Sequence, residues 1–347
     1  FGGISFDCWP TEYKFAQKRA LKKFRNENSR EILFWLFVQF EVFRQWKNLK
    51  AYANKRGVYI IGDIPLYPAY DSADVWLNPR LFKLNPDRSL KKVAGVPPDY
   101  FSATGQLWGN PVYRWHNHKK NNYEWWTERF RQAFELYDVV RVDHFRGFES
   151  YYEIDAGEQT AVRGAWKPGP KKEMFEAVEK KLGKLNLIAE DLGSLNRGVY
   201  RLMAETGYPG MKVLQFAFDG ERRNPHLPEY TTENSVCYTG THDNDTLYGF
   251  IKGLQGDKLR IFEESLNRAL KANCEVPAKG TAHMADAIIR LAMKSRARIA
   301  VVPVQDLLKL DSFARMNVPS KRDGNWRFRL KRSVSDKALS VLRRITQ

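Results

Sequence analysis

Short apolar runs recur along the chain, and each turns polar at its C-terminal end. "GVYIIGDIP" (57–65) ends in Asp63, and "ELYDVVRVDHFRGF" (135–148) runs from Val139, Val140 and Val142 into Arg141, Asp143, His144 and Arg146. "LNLIAEDLG" (185–193) ends in Glu190 and Asp191, and "GMKVLQFAFDG" (210–220) in Asp219. "SVCYTGTHDND" (235–245) ends in His242 and Asp243, and "RIAVVPVQD" (298–306) in Gln305 and Asp306. Each run is short and rich in β-branched residues, which predicts strands.

Helical periodicity fills the intervals. Residues 30–55 carry an aromatic face and stop at Gly57, a C-cap signal. "WWTERFRQAFELY", "KKEMFEAVEKKLG" and "SLNRGVYRLMAETG", the last with Ser194 as N-cap, read as helices, as do 257–273 and 281–297. Alternating strands and helices predict an α/β fold with a parallel sheet. Polar residues gathered at strand C-termini favour a (β/α)8 TIM-type barrel with inserted subdomains. A doubly wound sheet would carry a glycine-rich phosphate loop, and the chain has neither G-x-G-x-x-G nor a P-loop. Six strand signals and a start at Phe1 rather than Met lead to the expectation that the first two strand–helix units are absent. One catalytic barrel domain is expected over 1–347, with 1–29 the tail of an insertion. The Pro-, Gly-, Asn- and Tyr-rich stretch 64–123 is expected to be an inserted substrate-binding subdomain.

Composition changes this picture little. Charged residues at 28% and hydrophobic residues at 43% are ordinary for a globular protein. The longest apolar run, "ILFWLFV" (32–38), is too short to span a bilayer, so no membrane partner is expected. Cys8, Cys237 and Cys274 are scattered without metal-ligand spacing, as in a reducing compartment, either cytoplasm or plastid. The net charge of +17 raises the question of nucleic acid. Only "RDGNWRFRLKR" (322–332) combines dense cations with aromatics, so a solvated basic surface is the expectation.

Candidate chemistry lies at the strand ends. Arg141 and Asp143 are two apart and share a strand face, where the cation would keep the carboxylate ionised and fit to act as a nucleophile. A purely structural Arg–Asp pair fits the same residues. Of the adjacent Glu190 and Asp191, at most one faces a barrel interior. Apolar Ile188 and Ala189 would raise the pKa of Glu190 towards a general acid, whereas the alternative makes Asp191 a helix cap and leaves Glu190 exposed. His242, Asp243, Asn244 and Asp245 lack a second His or a Cys at ligand spacing, so a carboxylate gripping a polyol is preferred to a metal site. In "GVPPDYFSATGQLWGNPVYRW" (95–115), Tyr100, Phe101, Trp108 and Tyr113 are either a hydrophobic plug or platforms for sugar rings. Asp99, Gln106 and Asn110 would then bond hydroxyls.

These segments, with "IIGDIPLY", "DSADVW", "TGTHDNDT" and "ARMNVP…GNW", resemble in order those of the 4-α-glucanotransferases, the amylomaltase or disproportionating-enzyme family (glycoside hydrolase family 77). The resemblance implies a retaining barrel enzyme that moves α-1,4-glucan segments onto the 4-hydroxyl of an acceptor glucan or glucose. It implies Asp143 as nucleophile, Glu190 as general acid/base and Asp243 as transition-state stabiliser. Arg141 and His242 would hold the sugar at the cleavage point, and Asp63 and Asn317 would contact the donor side. Asp99, Tyr100 and Phe101, with Gln106 and Trp108, would cover the acceptor side. No cofactor or metal is implied, and maltooligosaccharides are the expected partners. The chain departs from the family pattern at "NVPSKRDGNW", after Asn317, and at Pro68. The rival readings are an α-glucan hydrolase of the same barrel type and a non-catalytic glucan- or nucleic-acid-binding protein.

Overall fold

The computed structural model describes residues 1–98, 102–193, 195–319, 321, 323–331 and 342–343. The chain forms two compact units, Phe1–Tyr208 and Pro209–Gln347.

The first unit contains strands β1 (Ile61–Ile64), β2 (Lys92–Val96), β3 (Gln106–Pro111), β4 (Val139–Val142), β5 (Ser150–Asp155), β6 (Gly164–Pro168) and β7 (Leu187–Ala189). β1, β4 and β7 form a parallel sheet in that order. The register sets Asp63 beside Arg141, and Arg141 beside Ile188. Side chains at paired positions of a parallel sheet point the same way, so this register brings the polar ends together. Val140, Val142, Leu187, Ile188 and Ala189 are all buried, as strands covered on both faces require. Gly62 is demanded by contact: a Cβ there would lie 2.0 Å from the Tyr137 ring.

Two amphipathic helices cover this sheet. Glu124–Leu136 buries Trp126, Phe130 and Ala133, and Lys172–Leu182 buries Met174, Phe175 and Val178. Both faces join one core with Val140, Val142 and Phe145. Burying each of the larger side chains contributes about 1.5–3 kcal/mol. The helix after β7 spans Arg197–Thr206 and is capped by Asn196, whose Oδ1 accepts from the Val199 amide at 3.0 Å. The expected cap, Ser194, lies outside the described residues.

Residues 1–29 fold into a 3-10 turn (Phe6–Cys8) and helices Thr11–Lys14 and Lys18–Glu27, with no strand among them. The next helix, Ser29–Asn54, buries none of its 26 residues. Its aromatic face, including Phe34, Trp35, Phe37 and Phe40, is exposed. A second, antiparallel sheet runs β3-β2-β5-β6. Half of it comes from 150–168, so the segment 64–123 does not build this layer alone.

In the second unit, β8 (Gly210–Val213), β9 (Ser235–Tyr238) and β10 (Ile299–Val301) form a parallel sheet with β9 central. Helices Gly256–Ala272 and Thr281–Met293 supply Phe262, Leu266, Met284 and Ile288 to its core. Asp306, at the end of the last apolar run, is buried. Its carboxylate accepts from the Thr239 hydroxyl (2.6 Å) and the Leu247 amide (2.7 Å), so it ties a strand end to a helix start. Asp219 likewise serves a turn, accepting from the Glu221 amide and the Asn224 side-chain amide.

Candidate active site

In the first unit, the ends of β1, β4 and β7 bring together Asp63, Arg141, Asp143 and Glu190. Arg141 is buried, and its Nη1 donates to both oxygens of Asp63, at 2.9 and 2.7 Å. The same nitrogen lies 3.1 Å from Asp143 Oδ1. Burial works to lower the Arg141 pKa, but the charges of Asp63, Asp143 and Glu190 outweigh it and keep the guanidinium charged. Asp143 therefore has a fixed cation beside it, and its amide is anchored to the Ile64 carbonyl at 3.0 Å. A cation in that position favours the ionised form of a carboxylate.

Glu190 is 9% exposed and experiences the opposite effect. Its pKa is pushed up to about 7, first by burial and then by the Asp143 charge; Arg141 and two backbone donors oppose the rise. Those donors fix the carboxyl group: the His144 amide reaches Oε2 at 2.7 Å, and the Leu192 amide reaches Oε1 at 2.7 Å. Asp191 is the less buried of the adjacent pair. One carboxylate lies beside a buried cation, and its neighbour is poised to carry a proton near neutrality. Carboxylates in such unequal surroundings are able to divide the roles of nucleophile and acid/base.

The turn after β4 makes this possible. His144 takes a left-handed conformation, φ 50° and ψ 48°, which aims its amide at Glu190. Its ring packs edge-on to Trp108, with centroids 4.8 Å apart. Trp108 is partly exposed, and its indole donates to Gln106 Oε1 at 3.0 Å. Trp108 thus touches the turn that carries Glu190's donor, a link the residue spacing does not reveal. Tyr113 is closed to solutes, whereas Asn110 is only partly buried. Tyr113 is buried and donates to the Leu66 carbonyl, while Asn110 donates to the Pro68 carbonyl. Asp99, Tyr100 and Phe101 lie outside the described residues.

The second unit holds its own cluster at the end of β9. His242 Nε2 lies 3.4 Å from Asp243 Oδ2. Asn317 donates to Asp243 Oδ1 at 2.5 Å, and its amide donates to the His242 carbonyl at 3.1 Å. Two residues were missed from sequence. Arg315 donates to the Asp243 carbonyl (2.6 Å), and the Trp326 ring sits 5.1 Å from that of His242. Both belong to the "ARMNVP…GNW" stretch, whose spacing alone gives no sign of the contact. The divergent loop after Asn317 is closed by Asn325, which accepts from the Val318 amide and donates to the Lys321 carbonyl. Among the described residues, no group of three or more His, Cys, Asp or Glu is placed to hold a metal.

Parallel strands with helices between them, and ionisable side chains collected at the strand C-termini, define the α/β class, with one three-stranded parallel sheet in each unit among the described residues. The chain belongs to glycoside hydrolase family 77, the 4-alpha-glucanotransferase family, whose model matches residues 1–335. It is 43% identical over 335 residues to a 4-alpha-glucanotransferase of Clostridium butyricum, covering 96% of this chain and 67% of the relative. Identity to a Synechocystis 4-alpha-glucanotransferase is 46% over 330 residues, covering 94% and 63%. A chloroplastic/amyloplastic 4-alpha-glucanotransferase of Solanum tuberosum is 41% identical over 332 residues, covering 96% and 56%. The structure is similar to that of an amylomaltase from Streptococcus agalactiae in complex with acarbose (TM-score 0.92, 36% identity), covering 100% of this chain and 68% of that one. The chain therefore spans about two-thirds or less of the length of these relatives. No helix among the described residues is long and apolar enough to cross a membrane.

Proposed function

We propose that the protein transfers α-1,4-glucan segments between maltooligosaccharides by retaining double displacement. The observation that carries the reading is the unequal carboxylate pair: Asp143 beside a buried cation, and Glu190 buried with its pKa near 7. Asp143 attacks the anomeric carbon while Glu190 protonates the departing glycosidic oxygen. The resulting glycosyl ester removes the Asp143 charge, one of the causes that hold the Glu190 pKa up. Glu190 then becomes the stronger acid of the two states and remains deprotonated, ready to take the proton of the acceptor 4-hydroxyl. Asp63 would meet the donor side. Asp243, steadied by Asn317 and flanked by His242, would bind ring hydroxyls and stabilise the oxocarbenium-like transition state. Gln106 and Trp108, with Asp99, Tyr100 and Phe101, would hold the acceptor and exclude water. Transfer exceeds hydrolysis only if they do so.

Maltotriose distinguishes transfer from hydrolysis. The proposal predicts glucose together with maltopentaose and longer chains. Glucose and maltose alone would mean an α-glucan hydrolase, and no turnover with retained glucan binding would mean a binding protein.

A further inference from the structure

The first unit has a second concavity that shares no lining residue with the Asp143–Glu190 cluster. It holds about 590 Å³ on one side and continues into a neighbouring hollow of about 450 Å³, with Pro79, Arg80, Arg88 and Asn117 common to both. That is the size range of small-molecule sites. Its walls carry Arg80, Arg88, Lys91, Arg114 and Lys120 but no Asp or Glu. Arg114 spends its guanidinium on the Phe82 and Leu84 carbonyls. No acidic side chain bonds any of the other four among the described residues.

Arg88 is the unusual member. It holds a left-handed φ of 76°, which is unfavourable for a long side chain. The turn is enforced: its amide donates to Asn85 O (3.0 Å), and Tyr70 donates to its carbonyl (2.9 Å). The guanidinium lies 5.2 Å over the Phe15 ring. Its Nε is shut off from solvent and has no hydrogen-bond partner. Burial first, and then the charge of Arg80, push its pKa down, so two cations face each other uncompensated. The adjacent acid does not relieve them, because Asp87 Oδ1 accepts from the Ser89 amide and hydroxyl. A strained arginine with an orphaned buried donor and a like-charged neighbour is costly unless an anion completes it.

We propose that this groove binds a phosphate monoester carried on a sugar. The Arg80–Arg88 pair takes the phosphate oxygens through guanidinium forks. The Trp76 ring supplies apolar surface for the sugar face, while Phe15 backs the Arg88 guanidinium. Asn117 donates a side-chain N–H to the Arg80 carbonyl (2.6 Å), and its amide oxygen would accept from a sugar hydroxyl.

The test is calorimetric titration of the protein with glucose 6-phosphate, inorganic phosphate and glucose, each at constant ionic strength set with chloride. Binding does not depend on turnover, so this test stands apart from the transferase reading. Saturable 1:1 binding of glucose 6-phosphate is expected, and weaker binding of inorganic phosphate. Arg88→Gln and the exposed Arg80→Gln should each weaken glucose 6-phosphate binding by at least about tenfold, with melting curves confirming the fold. Any binding of glucose, an acceptor at the Asp143–Glu190 site, should be unchanged in both variants. Absence of binding, or affinity unchanged in Arg80→Gln, would overturn the site. Equal affinity for glucose 6-phosphate and inorganic phosphate would overturn the sugar assignment.

Discussion

Replacing Glu190 with Gln should stabilise the protein at neutral pH, and the gain should disappear in acid. The Glu190 carboxyl titrates at about 7 in the fold against 4.5 when unperturbed. A carboxyl whose folded pKa is raised binds its proton more tightly in the native state than in the unfolded chain. Stability is therefore full below about 4.5 and is lost as pH climbs from there to about 7. The rise corresponds to about 3 kcal/mol, a large share of a native margin of about 5–15 kcal/mol. The Glu190 side chain is buried, so little of this is screened. Gln removes the titration but leaves one oxygen to accept from the His144 or Leu192 amide, so a pH-independent offset is expected as well. Urea unfolding of both forms across pH 4 to 8 isolates the pH-dependent part. The difference in midpoint should grow through that window in favour of Glu190→Gln. A flat difference would show that Glu190 is not a buried, proton-holding carboxyl and would remove the basis for its acid/base role.

Asp143→Asn should abolish glucan transfer while leaving the melting temperature near that of the parent, because Asn keeps the volume; turnover in a folded mutant would reassign the nucleophile. The same mutant should lower the Glu190 titration midpoint, read by carbon-13 NMR, to between 4.5 and 7, since burial remains when the Asp143 charge is gone. Trp108→Ala should cost about tenfold in kcat/KM by loosening the His144 turn that donates to Glu190, and Trp108→Phe should recover most of it; equal rates in all three would confine Trp108 to a passive surface. Asn317→Ala removes the 2.5 Å bond to Asp243 and should reduce kcat/KM by roughly ten- to a hundredfold in maltotriose kinetics. An unchanged value would separate Asn317 from the chemistry.

Some of this was legible along the chain for physical reasons. The apolar runs mark the six parallel strands found among the described residues, most plainly the buried β4, β7 and β9, because buried strands need continuous apolar sequence. The two-residue spacing of Arg141 and Asp143 places them on one strand face, and they do meet at 3.1 Å. The apolar neighbours of Glu190 anticipated its burial. Strand lengths were overestimated, since "GMKVLQFAFDG" pairs only over Gly210–Val213 before it turns into a 3-10 segment. The antiparallel sheet was missed because its 150–168 half reads as ordinary amphipathic sequence, and its exposed edge β6 has no buried position. The His144–Trp108 contact and the Trp326–His242 contact were out of reach, because both join segments tens of residues apart through backbone turns that no local pattern encodes.

Retaining transfer requires a covalent glycosyl ester at Asp143, and that ester is measurable directly. Glu190→Gln, incubated with an α-maltosyl fluoride whose leaving group needs no protonation, should accumulate the intermediate. Peptide mass spectrometry should then find one maltosyl adduct on the peptide containing Asp143, and none in the Asp143→Asn, Glu190→Gln double mutant. An adduct on another residue, or turnover of the fluoride with inverted product and no adduct, would contradict the mechanism.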